Sequence, residues 1–110
     1  MKLDNTEVSA LDDKQLGERI ESMATARGFR PKPKSLTLWT GIVRVLDEHG
    51  PLRVNQIIWY LARDREMLKA LNMEHFGDRN AYWKVRRRVM RMIDLDILSP
   101  ADVAFQHYGQ

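Results

Sequence analysis

Four stretches of this chain repeat apolar side chains at every third or fourth position, which predicts four amphipathic helices. The stretches cover residues 9–28, 36–49, 54–71 and 79–93. The periodicity of the third stretch continues across a polar interruption, so it forms either one long helix or two helices broken near Arg63–Asp64. The pattern therefore predicts a mainly helical protein.

Proline, glycine and polar residues divide the chain between these helices. Gly50-Pro51 is a strong helix terminator, and the RPKPK segment, residues 30–34, is typical of an extended linker. Residues 1–8 show no periodicity, and we expect them to be disordered. We therefore divide the chain into an N-terminal helix with its Pro/Lys linker, residues 1–34, and a compact domain, residues 35–110.

Two stretches near the C-terminus alternate apolar and polar side chains, as β-strands do. They are DLDILSP, residues 94–100, and VAFQHY, residues 103–108. With Pro100, Ala101 and Asp102 near the turn, they predict a β-hairpin. The expected fold class is mainly α, with a small C-terminal β-hairpin.

The segment between Arg79 and Arg91 carries six basic residues and no acidic one. A polar loop, residues 73–78, precedes it, and Asp78 is suited to cap its first turn. At about 100° per residue, one side of the helix is apolar and carries Tyr82, Val85, Val89, Met92 and Ile93. The opposite side collects Asn80, Lys84, Arg87 and Arg91 within about a sixth of a turn. Because clustered cations repel one another, this face is predicted to bind an anionic partner.

Composition limits the other functions open to the chain. A length of 110 residues with 44% hydrophobic content suits one domain with a modest core. The net charge of +3 is mild, but the excess of cations falls almost wholly on residues 29–34 and 79–91. No apolar run approaches the roughly 20 residues of a membrane span, and no signal peptide is visible, so we expect a cytoplasmic protein.

Three stretches resemble a winged helix-turn-helix domain and together cover more than half of the chain. IVRVLDEHGPLRVNQIIWYLA is similar to the family's first helix, its Gly-Pro stop and the entry into its second helix. DRNAYWKVRRRVMRMIDLDIL is similar to a recognition helix that runs into a wing strand, and VAFQHY to the returning strand. The connection from Arg63 to Gly77 is longer than the family's usual turn, and the hairpin turn is short.

This resemblance implies a three-helix core with an N-terminal extension, and duplex DNA as the partner, with the third helix in the major groove. Asn80, Lys84 and Arg87 lie where they would meet base edges, since asparagine pairs with adenine and arginine with guanine. The remaining cations are better placed for phosphates, which position a protein without reading sequence. They are Arg79, Arg86, Arg88 and Arg91.

A DNA-binding regulator of transcription with a single recognition helix is expected to act as a homodimer. Two segments are candidates for the dimer contact. One is the N-terminal helix, and the other is the aromatic pair Trp59-Tyr60, since tryptophan and tyrosine are common at protein interfaces. Alternatively, other parts of the same chain cover this pair. Two other acceptors for the basic helix remain open, an RNA and an acidic protein partner.

No enzyme is predicted. The chain has no cysteine, and its three histidines lack the spacing of a metal site. Asp94 and Asp96 lie two residues apart and could form only part of a nuclease metal site, because no further acid or catalytic lysine stands nearby. Phosphate-binding loops and nucleophile motifs are also missing from the sequence, so we expect no cofactor.

Overall fold

The structure is a computed structural model that describes residues 1–70 and 79–104, with Arg79 described by its backbone alone. Within these ranges the chain is mainly helical, as predicted. The helices are α1 (Asn5–Ala10), α2 (Asp13–Ala26), α3 (Pro33–His49), α4 (Val54–Leu61), α5 (Arg65–Ala70) and α6 (Arg79–Asp94), followed by a short 3-10 helix (Pro100–Asp102).

The N-terminal residues are ordered, so the expectation of disorder over residues 1–8 is wrong. Asp4 accepts a hydrogen bond from the Glu7 amide and caps α1, and Leu3 and Val8 are buried. The predicted start of one helix at Ser9 is also wrong, because α2 begins after Asp12. Asp12 and Gln15 cap each other's backbone amides there in a capping box, which satisfies two amides that a helix start leaves free.

Helix α3 lies at the centre of the described fold and packs against each of the other α-helices named above. It begins at Pro33, so the linker expected over residues 30–34 is shorter than predicted. Proline is well tolerated in the first turn of a helix, because the N–H that it lacks would have no partner within the helix there. It ends at Gly50, whose φ of 76° is open to glycine at little cost. The predicted stop at Gly50-Pro51 is therefore confirmed.

The core joins the N-terminal helices to the rest of the protein. Leu16, Ile20 and Ala24 of α2 are fully buried in one cluster with Ile42 of α3 and Ile57 of α4. Arg44 of α3 fastens the same region, because its guanidinium donates to the carbonyl oxygens of Val8 and Leu11 and pairs with Asp13. The N-terminal segment is thus part of the core, and α2 buries in its own chain the apolar stripe considered for a dimer contact.

The chain breaks between α4 and α5 at Arg63–Asp64, one of the two alternatives that the periodicity left open. Asp64 accepts a hydrogen bond from the Glu66 amide at 2.8 Å and so satisfies a free amide at the start of α5. No side chain of α5 is fully buried. The predicted loop over residues 73–78, with its Asp78 cap, lies outside the described residues.

The first strand of the predicted β-hairpin is not formed. Residues 95–99 turn instead, with Asp96 in the left-handed region at φ 64°, and the amides of Ile97 and Leu98 donate back to the Met92 carbonyl. The alternating apolar residues thus fill the core from a turn. Val103 forms an isolated parallel bridge with Leu52, and most of the second predicted strand, residues 105–108, lies outside the described residues.

Candidate functional site

Helix α6 is fixed by its apolar side, which packs against α3 and α4. Val85, Val89 and Met92 are fully buried, and Tyr82 and Ile93 are half-buried at the margins. The stripe predicted from the sequence is therefore the face that enters the core. Burying these side chains sets the rotation of the helix about its axis, and this rotation decides which residues face outward.

The outward side of α6 carries the predicted polar group. Asn80, Arg87 and Arg91 are exposed, and Lys84 is partly exposed beside them. The described part of α6 contains no acidic residue before Asp94, at the opposite end of the helix from Asn80. Most of the outward face is thus positively charged.

Two apolar side chains interrupt this cationic face. Trp83 is 59% exposed and Met90 is 37% exposed, although large apolar side chains are usually buried. The Arg86 guanidinium lies 5.9 Å from the Trp83 ring centre. Neither residue belongs to the site predicted from the sequence. Their angular position, off the apolar stripe by more than a quarter turn from Val89, was the signal available for both.

Arg88 occupies a different environment from Arg87. Its Nη1 donates to the Lys84 carbonyl oxygen at 3.4 Å, while its Nε is buried without a hydrogen-bond partner among residues 1–70 and 79–104. Burial lowers the pKa of the Arg88 guanidinium below its ordinary value, and the charge of Arg87 lowers this pKa further. The side chain lies at the edge of the core, one helical turn from Lys84. A role for Arg88 equal to that of the exposed arginines is therefore not favoured.

Replacing Arg88 with methionine is expected to raise the free energy of unfolding by about 1 kcal/mol, because the buried Nε donor disappears while an apolar stem of similar length remains. The matched variant Arg87→Met removes the same charge from an exposed site and should change the stability by less than about 0.5 kcal/mol. Urea denaturation of both variants measures the difference. A loss of stability in Arg88→Met would show that the Nε of Arg88 has a hydrogen-bond partner in solution.

Two further cations of the predicted site are Arg91 and Arg79, and the structure describes the side chain of Arg91. The Arg91 guanidinium lies 4.9 Å above the Phe29 ring, and Phe29 stacks on the buried Trp39 at 5.8 Å. This contact links α6 to the segment that follows α2 and gives Arg91 a cation–π interaction within its own chain. The side chain of Arg79, another predicted phosphate contact, lies outside the described residues.

Trp59 and Tyr60, the predicted partner surface, are partly covered by the same chain. The Arg63 guanidinium stacks 3.6 Å above the Trp59 ring, and Tyr60 stacks on His49 at 3.8 Å between ring centres. Tyr60 is half-buried, but Trp59 remains 47% exposed. Of the pair, Trp59 therefore offers the larger surface to another molecule.

Acidic residues do not gather into a metal-binding group within residues 1–70 and 79–104. Asp96 instead forms ion pairs with Arg27 at 2.9 Å and with Lys2 at 3.4 Å. Its carboxylate thereby links the N-terminal residues to the end of α6. Asp94 ends α6 and is exposed. Because residues 94–96 turn, the two carboxylates do not share the strand face that their spacing suggested.

In the same described ranges, each helix is too short or too polar to cross a membrane. Comparison of the chain with known protein families, with curated proteins and with solved structures found no match.

Proposed function

We propose that this protein binds double-stranded DNA through the outward face of α6 and acts as a small regulator of transcription. The observation that carries the proposal is the placing of the exposed Asn80, Arg87 and Arg91 and the partly exposed Lys84 on one side of a helix whose opposite side is buried in the core. A rigid helix is the element that enters a major groove in many DNA-binding domains. The DNA phosphates would attract the cations of this face.

Within this proposal, the cations divide between bases and phosphates. Asn80, Lys84 and Arg87 would meet base edges, because asparagine and arginine form paired hydrogen bonds with adenine and guanine. Arg79, Arg86 and Arg91 would bind phosphates and set the position of the helix. The buried Nε of Arg88 speaks against counting it among the phosphate contacts, so this residue leaves the group proposed from the sequence.

The fold that would present α6 in this way is a winged helix-turn-helix arrangement of α3, α4 and α6. The bridge between Leu52 and Val103 supports it, since it joins the segment between α3 and α4 to the segment that follows α6. Two features depart from the family pattern: α5 is inserted between the second and third helices, and a turn replaces the first wing strand. Contacts from a wing are therefore not part of the proposal.

A homodimer is part of the proposal, because one recognition helix contacts too few base pairs for high specificity. Helix α2 buries its apolar stripe in its own chain, which leaves Trp59 as the better candidate for the dimer contact. Tryptophan is a common anchor at protein interfaces. The stacked Arg63 guanidinium would lie beside such a contact.

A second function is favoured by the exposed Trp83 and Met90. An acidic protein segment with apolar side chains would match the mixture of cations and apolar groups on α6. The phosphates of DNA would attract the cations of α6, but DNA would make less apolar contact with Met90 than a protein segment would. The alternative is therefore a protein-interaction module that binds an acidic partner.

Selection from a pool of random duplexes, repeated at two salt concentrations, tests the proposed function. We expect enrichment of a palindromic sequence and a linear fall of log affinity with log salt, at a slope of about −0.9 for each phosphate neutralised. Salt-sensitive binding without enrichment would overturn the sequence-specific part of the proposal. Failure to bind DNA near physiological salt, together with binding to an acidic amphipathic peptide, would establish the alternative.

A further inference from the structure

A groove of about 540 Å³ opens between α2, α3 and α5, away from the outward face of α6. Its volume is within the range of about 300–1,000 Å³ that small-molecule sites occupy. The floor is largely apolar and is formed by Gly17 on α2, by Leu61 and Met67, and by residues of α3 that include Gly41 and Val45.

Two glycines inside helices line the groove, and at one of them, Gly41, a neighbouring side chain approaches closely. A Cβ atom at Gly17 would lie 3.5 Å from the Thr40 hydroxyl oxygen, and one at Gly41 would lie 2.7 Å from the Met67 sulfur. Glycine in a helix interior costs about 1 kcal/mol relative to alanine. The absence of a side chain at Gly41 lets Met67 of α5 approach α3 closely. This approach places α5 beside the groove.

Carboxylates dominate the charged rim of the groove. Asp13, Glu18, Asp64 and Glu66 line it, against two cations, Lys14 and Arg44. Arg44 is already engaged by Asp13 and by two backbone carbonyls. Glu18 and Glu66 take part in no ion pair within the described residues, so the rim is left with uncompensated negative charge on both sides of the apolar floor.

We propose that this groove binds a small organic cation, a molecule with an apolar body and one amine or similar positive group. The apolar body would bury itself against Val45, Leu61 and Met67, and the charge would lie between the carboxylates of Glu18 and Glu66. An anion of the same shape would meet repulsion at the rim. A small molecule matches the volume of about 540 Å³, so we propose it as the occupant.

Binding would also strengthen the attachment of α5. This six-residue helix packs on α3 through side chains that are only half-buried, Met67 and Leu68 among them. A ligand in the groove would add apolar contact to the Met67 side chain, where the helix has little of its own. The inference is independent of DNA binding, because the groove and the outward face of α6 share no residue.

Nuclear magnetic resonance titration of the full chain without DNA tests the proposal. The probe is 2-(1-naphthyl)ethylamine, and 3-(1-naphthyl)propanoate carries the same aromatic body with the opposite charge. The amine should shift the amide signals of Gly17 and Gly41 in a saturable way, and the propanoate should bind at least severalfold more weakly. The double variant Glu18→Gln/Glu66→Gln should weaken amine binding about three- to tenfold, as expected for two partly exposed charge pairs.

The control variant Glu21→Gln/Glu48→Gln removes the same two charges from exposed positions on α2 and α3 that do not line the groove. It should bind the amine as the natural chain does. Equal affinity for the amine and the propanoate, or amine-induced shifts confined to residues outside the groove, would overturn the proposal. The proposal would also be overturned if the amide signals of Gly17 and Gly41 changed with protein concentration but not with added amine. Such a result would indicate that a second copy of the chain binds in the groove.

Discussion

Removal of residues 1–28 is expected to abolish the cooperative thermal unfolding of this protein. The deleted segment contributes five buried side chains to the core, namely Leu3, Val8, Leu16, Ile20 and Ala24. Truncation of a single large core side chain costs about 2–5 kcal/mol, and a domain of this size is stable by only about 5–15 kcal/mol. The combined loss exceeds the stability available, so the fragment should not retain a unique fold.

Circular dichroism and calorimetric melting of the fragment measure this outcome. Point variants make the same test within the full chain. Leu16→Ala and Ile20→Ala should each lower the free energy of unfolding by about 2–5 kcal/mol, whereas Glu21→Ala on the exposed side of α2 should change it by less than about 0.5 kcal/mol. A fragment of residues 29–110 that melts in one sharp transition near the full-length temperature would contradict the structure, and would restore the N-terminal helix as a separable dimer element.

Replacing both Lys84 and Arg87 with alanine is expected to lower the affinity for the selected duplex about 10- to 100-fold. Both side chains lie on the outward face of α6, where they would bind DNA if the proposed function is right. Loss of two cationic contacts should also reduce the slope of log affinity against log salt by about two. The backbone carbonyl of Lys84, which accepts the Arg88 hydrogen bond, is retained in the variant.

The control for this variant is Lys14→Ala/Arg19→Ala, which removes one lysine and one arginine from exposed positions on α2. It lowers the net charge equally, so it separates a defined contact from a general electrostatic effect. Fluorescence anisotropy titrations at several salt concentrations compare the two proteins. Equal losses of affinity in both would mean that net charge, rather than the face of α6, attracts the DNA.

The helical periodicity predicted the regions of α2, α3, α4 and α6 and the apolar side of α6, although it did not predict α1. It predicted the buried stripe of α6 and, by the same rotation, the exposed position of Arg87. It also located the stop at Gly50 and the possible break at Arg63–Asp64. These features are local, since they depend on side chains within one or two helical turns and on backbone angles that few residues adopt.

Other features depend on parts of the chain that are distant in sequence, and only the tertiary structure decided them. The docking of the N-terminal helices against α3 includes hydrogen bonds from Arg44 to the carbonyls of Val8 and Leu11, which no pattern within the N-terminal segment can indicate. An alternating apolar run after α6 became a turn, because the helix end and the core around Ile97 offered those side chains burial without a strand partner.

The same distinction applies to the two candidate sites. The cationic face of α6 could be predicted from the sequence because its residues lie within a few turns of one helix. The environment of Arg88 could not, since its burial depends on packing at the edge of the core. The groove draws its lining from α2, α3, α5 and the end of α4, which only the folded chain brings together. Local periodicity thus determined the faces of the helices, and long-range packing decided which of those faces were covered.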